Sequence, residues 1–141
     1  MSDVGEVVTR IYIVEDEALI AMSFEIALSM HGYSCRVVPT GEQALQAVAQ
    51  QAPDMVIMDV HLAGPIDGFE CADRLRRIHN CPIIFVTGYN SQEVQFRGKH
   101  LDHTYYLEKP MSVQELLKTL QLAEANFGQN SIKLKKPSSQ T

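Results

Sequence analysis

Strand-length apolar runs alternate with helix-forming stretches five times along this 141-residue chain, and that order constrains its fold more than any other feature. The runs are 10–14, 33–38, 55–58, 82–86 and 104–107. Such alternation predicts an α/β architecture, a doubly wound parallel sheet of (βα)5 type with helices on both faces and right-handed crossovers. In open sheets of this kind, ligands bind beyond the carboxyl ends of the strands, where strand order reverses. A polar residue stands within two positions after four of the runs: Asp16, Asp59, Thr87 and Lys109. A shared strand polarity carries all four to one edge. If the strand order is 2-1-3-4-5, the first and third strands are neighbours. Asp16 then approaches Asp59, with Thr87 and Lys109 flanking Asp59.

Between the strands, helix signals are uneven. Residues 17–30 are apolar around most of the helical circumference (Leu19, Ile20, Met22, Phe24, Ile26, Leu28, Met30), which predicts a heavily buried helix. Gly32 supplies its C-terminal cap. Thr40-Gly-Glu-Gln43 and Ser112-Val-Gln-Glu115 read as capping boxes. Phe69, Ala72, Leu75 and Ile78 recur every three residues and are expected on one helical face. The stretch 90–100 is the weakest helix candidate. It offers only Val94 and Phe96, and Gly98 interrupts it at a cost of ~1 kcal/mol relative to alanine. The final helix places Val113, Leu116, Leu117, Leu120 and Ala123 on one face. The expected organisation is an N-terminal extension at 1–8, one domain at 9–127 and a polar, disordered tail at 128–141.

Composition excludes several functions. Twelve basic and seventeen acidic residues give a net charge of −5, a poor match to nucleic acid. Cys35, Cys71 and Cys81 form no CxxC pair, so neither a disulfide framework nor a zinc site is expected. They read as reduced thiols of a cytosolic protein. The first residues lack a signal peptide's basic and apolar segments, and no run approaches the ~18 apolar residues of a membrane span.

The chemistry of the edge follows from its residue types. Clustered carboxylates raise one another's pKa unless a cation neutralises them. Mg2+ is a hard ion that takes one or two carboxylates, keeps waters and accepts phosphate oxygens. The run Glu15-Asp16-Glu17 therefore reads as half of a magnesium site (Mn2+ would serve as well). A carboxylate can attack phosphorus to form an aspartyl phosphate. The transfer needs in-line placement and neutralised equatorial oxygens. The Thr87 hydroxyl and the Lys109 ammonium suit two of those oxygens, and Gly88 leaves room beside the incoming group. Lys109-Pro110 is an X-Pro bond in a turn, where a cis peptide would aim the lysine. Singly, each residue has a plainer explanation: a dipole-complementing acid, a turn-forming Asp, a loop Lys-Pro. Four of them at one edge favour a site.

Glu15-Asp16, Asp59 after an apolar strand, Val86-Thr87-Gly88 and Lys109-Pro110 together resemble the response-regulator receiver domain of two-component signalling, across about residues 9–127. The resemblance implies a flavodoxin-like fold of order 2-1-3-4-5, with Asp59 as phosphoacceptor. It implies Mg2+ on Asp16, Asp59 and the main-chain carbonyl of His61, with Glu15 acting mainly through water. Thr87 and Lys109 would bind the phosphoryl group, and Tyr106, three residues before the lysine, matches the family's aromatic switch. Donors would be a histidine kinase, a histidine phosphotransfer protein or a small phosphodonor. The output would be a downstream protein target, with no direct contact to nucleic acid or membrane and a weak homodimer through the fourth-helix face an open option. The segment Pro82-Ile-Ile-Phe-Val-Thr-Gly-Tyr89 resembles the subgroup of alphaproteobacterial receivers with a Phe-Ala-Thr-Gly-Tyr motif, with Val86 in place of alanine. With few residues beyond 127, the chain resembles a stand-alone receiver in the cytoplasm.

His61 and Tyr89 flank the site by position and are expected to tune water access to the acyl phosphate. The poor helix at 90–100, the loop after Thr87 and Tyr106 are expected to form a two-state element. Two other classes compete. A Mg2+-dependent phosphohydrolase with an aspartyl nucleophile would want a second aspartate where His61 stands. A flavodoxin-like redox or nucleotide module would want a Gly/Ser/Thr-rich first loop. An unphosphorylated interaction domain is the least favoured receiver reading. His100 and His103 read as solvated loop residues rather than as a metal pair.

Overall fold

The computed structural model describes residues 7–88 and 92–135, with the side chains of 93 and 129–135 outside that description. The parts of the expected extension and tail at 1–6 and 136–141, and the loop residues Tyr89, Asn90 and Ser91, therefore lie outside the described residues.

Among the described residues, five parallel strands form one sheet: β1 (Arg10–Val14), β2 (Ser34–Val38), β3 (Met55–Asp59), β4 (Ile83–Thr87) and β5 (Thr104–Glu108). Their order is β2-β1-β3-β4-β5, as the resemblance implies. Among the described residues, five helices connect or follow them: α1 (Ala18–Ser29), α2 (Gly41–Gln50), α3 (Gly68–Ile78), α4 (Gln92–Arg97) and α5 (Val113–Lys135). The period-2 alternation of the strands divides the core into two layers. Ile11, Ile13, Met55, Ile57, Ile84 and Val86 meet Ala21 and Leu28 of α1 and Leu116, Leu120 and Ala123 of α5. Tyr12, Val14, Val56, Met58, Ile83 and Phe85 meet α2, α3 and Val94 of α4. β3 and β4 are buried along their whole length because both faces are covered.

The local signals mostly act as expected. Ser112 and Glu115 form a reciprocal capping box, with backbone-to-side-chain bonds of 2.9 and 3.0 Å. Thr40 accepts from the Gln43 N–H at 3.1 Å, but its hydroxyl meets the Gln43 side-chain oxygen instead of completing the box. Asp67 is the N-cap of α3 and accepts from the Glu70 N–H at 2.9 Å.

Three expectations are corrected. First, α1 is not heavily buried. Only Ala21 and Leu28 are fully enclosed, whereas Leu19 is 81% exposed, Met22 51%, Ile26 57% and Met30 78%. A helix lying on a sheet covers one stripe. At about 100° per residue the four exposed side chains fall within roughly 80° of one another, directly opposite Leu28. Second, Ile78 leaves the buried face that Phe69, Ala72 and Leu75 share, and is exposed. A spacing of three drifts by about 60° per step on a helix of 3.6 residues per turn, so the third step reaches the far side. Third, α5 runs through Gly128 to Lys135 rather than stopping near Phe127. One helical glycine costs only ~1 kcal/mol and does not by itself end a helix. Among the described residues, no helix is long and apolar enough to cross a membrane.

Candidate functional site

The C-terminal edge of β1, β3, β4 and β5 gathers the expected polar residues. Carboxylate oxygens of Glu15, Asp16 and Asp59 all lie within 4.8 Å of one another. Three backbone contacts hold them. The Asp59 carboxylate accepts from the His61 N–H at 3.0 Å, Asp16 accepts from the Ala63 N–H at 3.1 Å, and Glu15 accepts from the Glu17 N–H at 3.1 Å. Lys109 extends into the cluster, 3.3 Å from Glu15 and 3.6 Å from Asp59. Its own N–H donates to the Thr87 carbonyl at 2.8 Å, which ties the end of β5 to the end of β4. The Lys109-Pro110 bond is cis.

Burial separates the three acids. Glu15 and Asp59 are enclosed, whereas Asp16 is exposed at the mouth. Burial pushes the Glu15 carboxyl up from near 4.5 to about 7. The Glu17 N–H opposes that rise, Asp59 reinforces it through charge and a shared hydrogen bond, and Lys109 offsets part of it. Three carboxylates thus crowd one ammonium, and one of them holds a proton near neutrality. That excess of negative charge on hard oxygen donors fits a divalent cation of the magnesium type.

The remaining expected residues are placed unevenly. Thr87 is fully buried at the end of β4. Gly88 is exposed, and a Cβ there would meet nothing within 4 Å, consistent with open space beside the site. His61 is exposed just past Asp59. Tyr89 lies outside the described residues. Tyr106 is not gathered with the others. Its ring stacks on Phe85 at 5.4 Å, and its hydroxyl packs against Gly98 in the turn after α4. His100 bonds Asp73 at 2.6 Å while His103 stacks edge-on against Phe127, so the two histidines have separate partners.

Two contributors escaped sequence reasoning. Gly68 opens α3 so close to β3 that a Cβ would overlap the Asp59 carbonyl oxygen and lie 2.9 Å from the Val60 Cα. The glycine in the Asp67-Gly68 turn was visible, but its neighbour across the crossover was not. Arg97 joins α4 to the N-cap of α3, 3.1 Å from Asp67, with its guanidinium 4.5 Å above the Phe69 ring. Nothing in the local pattern around Arg97 signals that contact.

The profile of the family described as "Response regulator receiver domain" matches residues 11–121. The transcriptional regulatory protein PdtaR of Mycobacterium tuberculosis is 31% identical over 119 residues, 84% of this chain and 58% of that protein. Across the curated relatives it matches, the chain spans about half of their length. Among solved structures, the N-terminal domain of a response regulator/sensory box/GGDEF 3-domain protein from Carboxydothermus hydrogenoformans superposes with a TM-score of 0.81. It is 27% identical, covering 87% of this chain and 99% of that one. The chemotaxis protein CheY4 of Vibrio cholerae is similar at 29% identity and a TM-score of 0.76, covering 83% and 99%.

Proposed function

This chain belongs to the response regulator receiver domain family, and on that footing we propose that Asp59 accepts a phosphoryl group and that the resulting aspartyl phosphate switches a protein-binding surface. One observation carries the reading: three carboxylates within 4.8 Å of one another, with the Lys109 ammonium 3.6 Å from the one that ends β3. An Asp59 oxygen attacks the phosphorus of a phosphohistidine on a histidine kinase or phosphotransfer protein. The O–P bond forms as the P–N bond breaks, and the electron pair returns to the imidazole, which gains a proton from solvent.

Lys109 neutralises one phosphoryl oxygen and the Thr87 hydroxyl donates to another. Glu15, Asp16, Asp59 and the His61 main-chain carbonyl would hold Mg2+ or Mn2+. Bound there, the ion would offset the carboxylate charge and screen the phosphoryl oxygens. Thr87 and Tyr106 form the switch, and His61 and Tyr89 control water access to the acyl phosphate. The exposed stripe Leu19, Met22, Ile26 and Met30 starts three residues after Asp16, which supports α1 as a docking face for the phosphodonor. We read the chain as a cytoplasmic regulator whose target is a protein rather than nucleic acid. Its own chemistry is limited to phosphorylation from small donors and self-dephosphorylation.

The test is labelling by acetyl phosphate or a kinase, with and without Mg2+. Wild type should acquire acid-stable, base-labile label only with Mg2+, and Asp59→Asn should acquire none. Label persisting in Asp59→Asn would sink the proposal. Rapid, continuous turnover of a phosphate ester would favour the phosphohydrolase instead. An unaltered phosphoprotein half-life in His61→Ala would remove His61 from the tuning role.

A further inference from the structure

We propose that Gly98 sets the resting position of Tyr106 by leaving a slot at the end of α4 that admits the tyrosine hydroxyl. The proposal rests on Tyr106 being a switch residue.

The glycine is buried, and a Cβ built on it would overlap the Tyr106 hydroxyl, lie 3.1 Å from its Cζ and 3.4 Å from Phe69 Cε1. Its φ is not in the left-handed region that favours glycine, unlike Gly32 at +91° and Gly64 at +105°. The backbone would therefore accept a side chain at 98, and the tyrosine would not. Glycine at the end of a marginal six-residue helix gives up stability. Space for Tyr106 is the compensating use.

The direction of the side chain matters. Thr104, two residues earlier on the same face of β5, lines the same pocket beside α4 as Tyr106. The hydroxyl thus points toward the start of β5, whereas Thr87 and Asp59 stand at the opposite ends of β4 and β3. The aromatic contacts run on from there. Tyr106 stacks on Phe85 at 5.4 Å, Phe85 meets Phe69 at 4.9 Å, and Phe69 lies under Arg97, which pairs with Asp67 at the start of α3. Asp67 begins the helix whose Gly68 presses on the Asp59 carbonyl. The ring that must move and the strand end that is phosphorylated are joined by one packed column.

For Tyr106 to turn toward Thr87, it must leave the slot. Filling the slot raises the energy of the parked position and shifts the population toward the other one. The apparent affinity for a phosphoryl mimic rises as the competent fraction rises.

The experiment uses the full chain with Mg2+ and beryllofluoride as the probe. The Tyr106 ring resonance is assigned by its loss in Tyr106→Phe. In Gly98→Ala it should move, without beryllofluoride, toward its position in saturated wild type. The beryllofluoride midpoint should fall by about three- to tenfold. In a Tyr106→Leu background, Gly98→Ala should leave the midpoint unchanged. An unmoved resonance in a folded Gly98→Ala overturns the slot, as does an equal midpoint shift in both backgrounds. If Gly98→Ala does not fold, Tyr106→Phe decides. It removes only the hydroxyl, so its midpoint should fall, and an unchanged midpoint overturns the proposal. Failure of wild type to bind beryllofluoride would sink the phosphoacceptor reading. The melting temperature of Gly98→Ala against Gly98→Ala/Tyr106→Leu would still decide the slot. Rescue by the double substitution supports it, and no rescue overturns it.

Discussion

Gly68→Ala should be among the most damaging single-methyl additions this chain can receive. The new Cβ would overlap the Asp59 carbonyl oxygen and sit 2.9 Å from the Val60 Cα and 3.0 Å from the Asp59 carbonyl carbon. Carbon atoms in contact prefer ~3.5–4.0 Å, so the backbones must part by roughly 0.5–1 Å. Neither partner is a flexible side chain that could step aside. The Gly68 N–H donates to the Val60 carbonyl at 3.0 Å, and the Val60 N–H donates to the Val86 carbonyl at 3.0 Å. Separation therefore strains bonds on both sides of the contact. Overpacking costs about 1–3 kcal/mol, and weakening a buried backbone hydrogen bond about 1–3 more. The expected loss is about 2–6 kcal/mol. For a domain of this size that lowers the thermal midpoint by roughly 5–25 °C. Gly128→Ala is the matched control. It adds the same methyl on exposed helix with nothing within 4 Å, and should gain about 0.5–1 kcal/mol. Calorimetry and urea unfolding of both variants measure the difference. Because Gly68 presses on the residue that carries the acceptor carboxylate, Mg2+ and beryllofluoride binding should weaken together in Gly68→Ala. A midpoint within about 2 °C of wild type, with binding intact, would refute the reasoning.

The two sides of α1 should respond oppositely to truncation. Leu28→Ala should cost about 2–5 kcal/mol because the side chain is wholly enclosed, while Leu19→Ala, 81% exposed, should stay within about 0.5 kcal/mol by urea unfolding. Ile26→Glu should slow phosphotransfer from a histidine-bearing protein donor and leave acetyl-phosphate labelling unchanged; equal rates from the protein donor would remove α1 as the docking face. Glu15 sets a pH dependence of definite sign. Its carboxyl, raised to about 7 in the folded protein chiefly by burial, holds a proton that the unfolded chain releases above about 4.5. The stability it contributes is complete below that lower value and is lost as pH rises toward 7. The metal-free melting temperature should therefore fall more steeply between pH 5 and 7.5 in wild type than in Glu15→Gln, and identical slopes would contradict the assignment.

Much of this architecture was legible before any coordinates. The period-2 strands, the N-cap at Thr40, the capping box at Ser112 and the polar residues closing four strands are local signals, and local signals survive folding. Parallel strands of one sheet necessarily send Asp16, Asp59, Thr87 and Lys109 to one edge, so the candidate pocket followed from element order. Periodicity reports which residues share a face but not which face finds a partner. Helix α1 carries two apolar stripes, and only its seat on the sheet decided that Ala21 and Leu28 would be enclosed while Leu19, Met22, Ile26 and Met30 stayed outside.

Depth and long-range pairing belonged to the tertiary structure alone. Glu15 and Asp16 are adjacent and chemically alike, yet one is buried beside Lys109 and the other reaches solvent, because successive side chains leaving a strand point to opposite sides. Gly68 against Asp59, Arg97 against Asp67 and Gly98 against Tyr106 depend on how far each helix is set back along its strands. A chain's order determines which elements are neighbours; the axial position and rotation of each helix, set by close packing over the whole domain, decide which atoms touch.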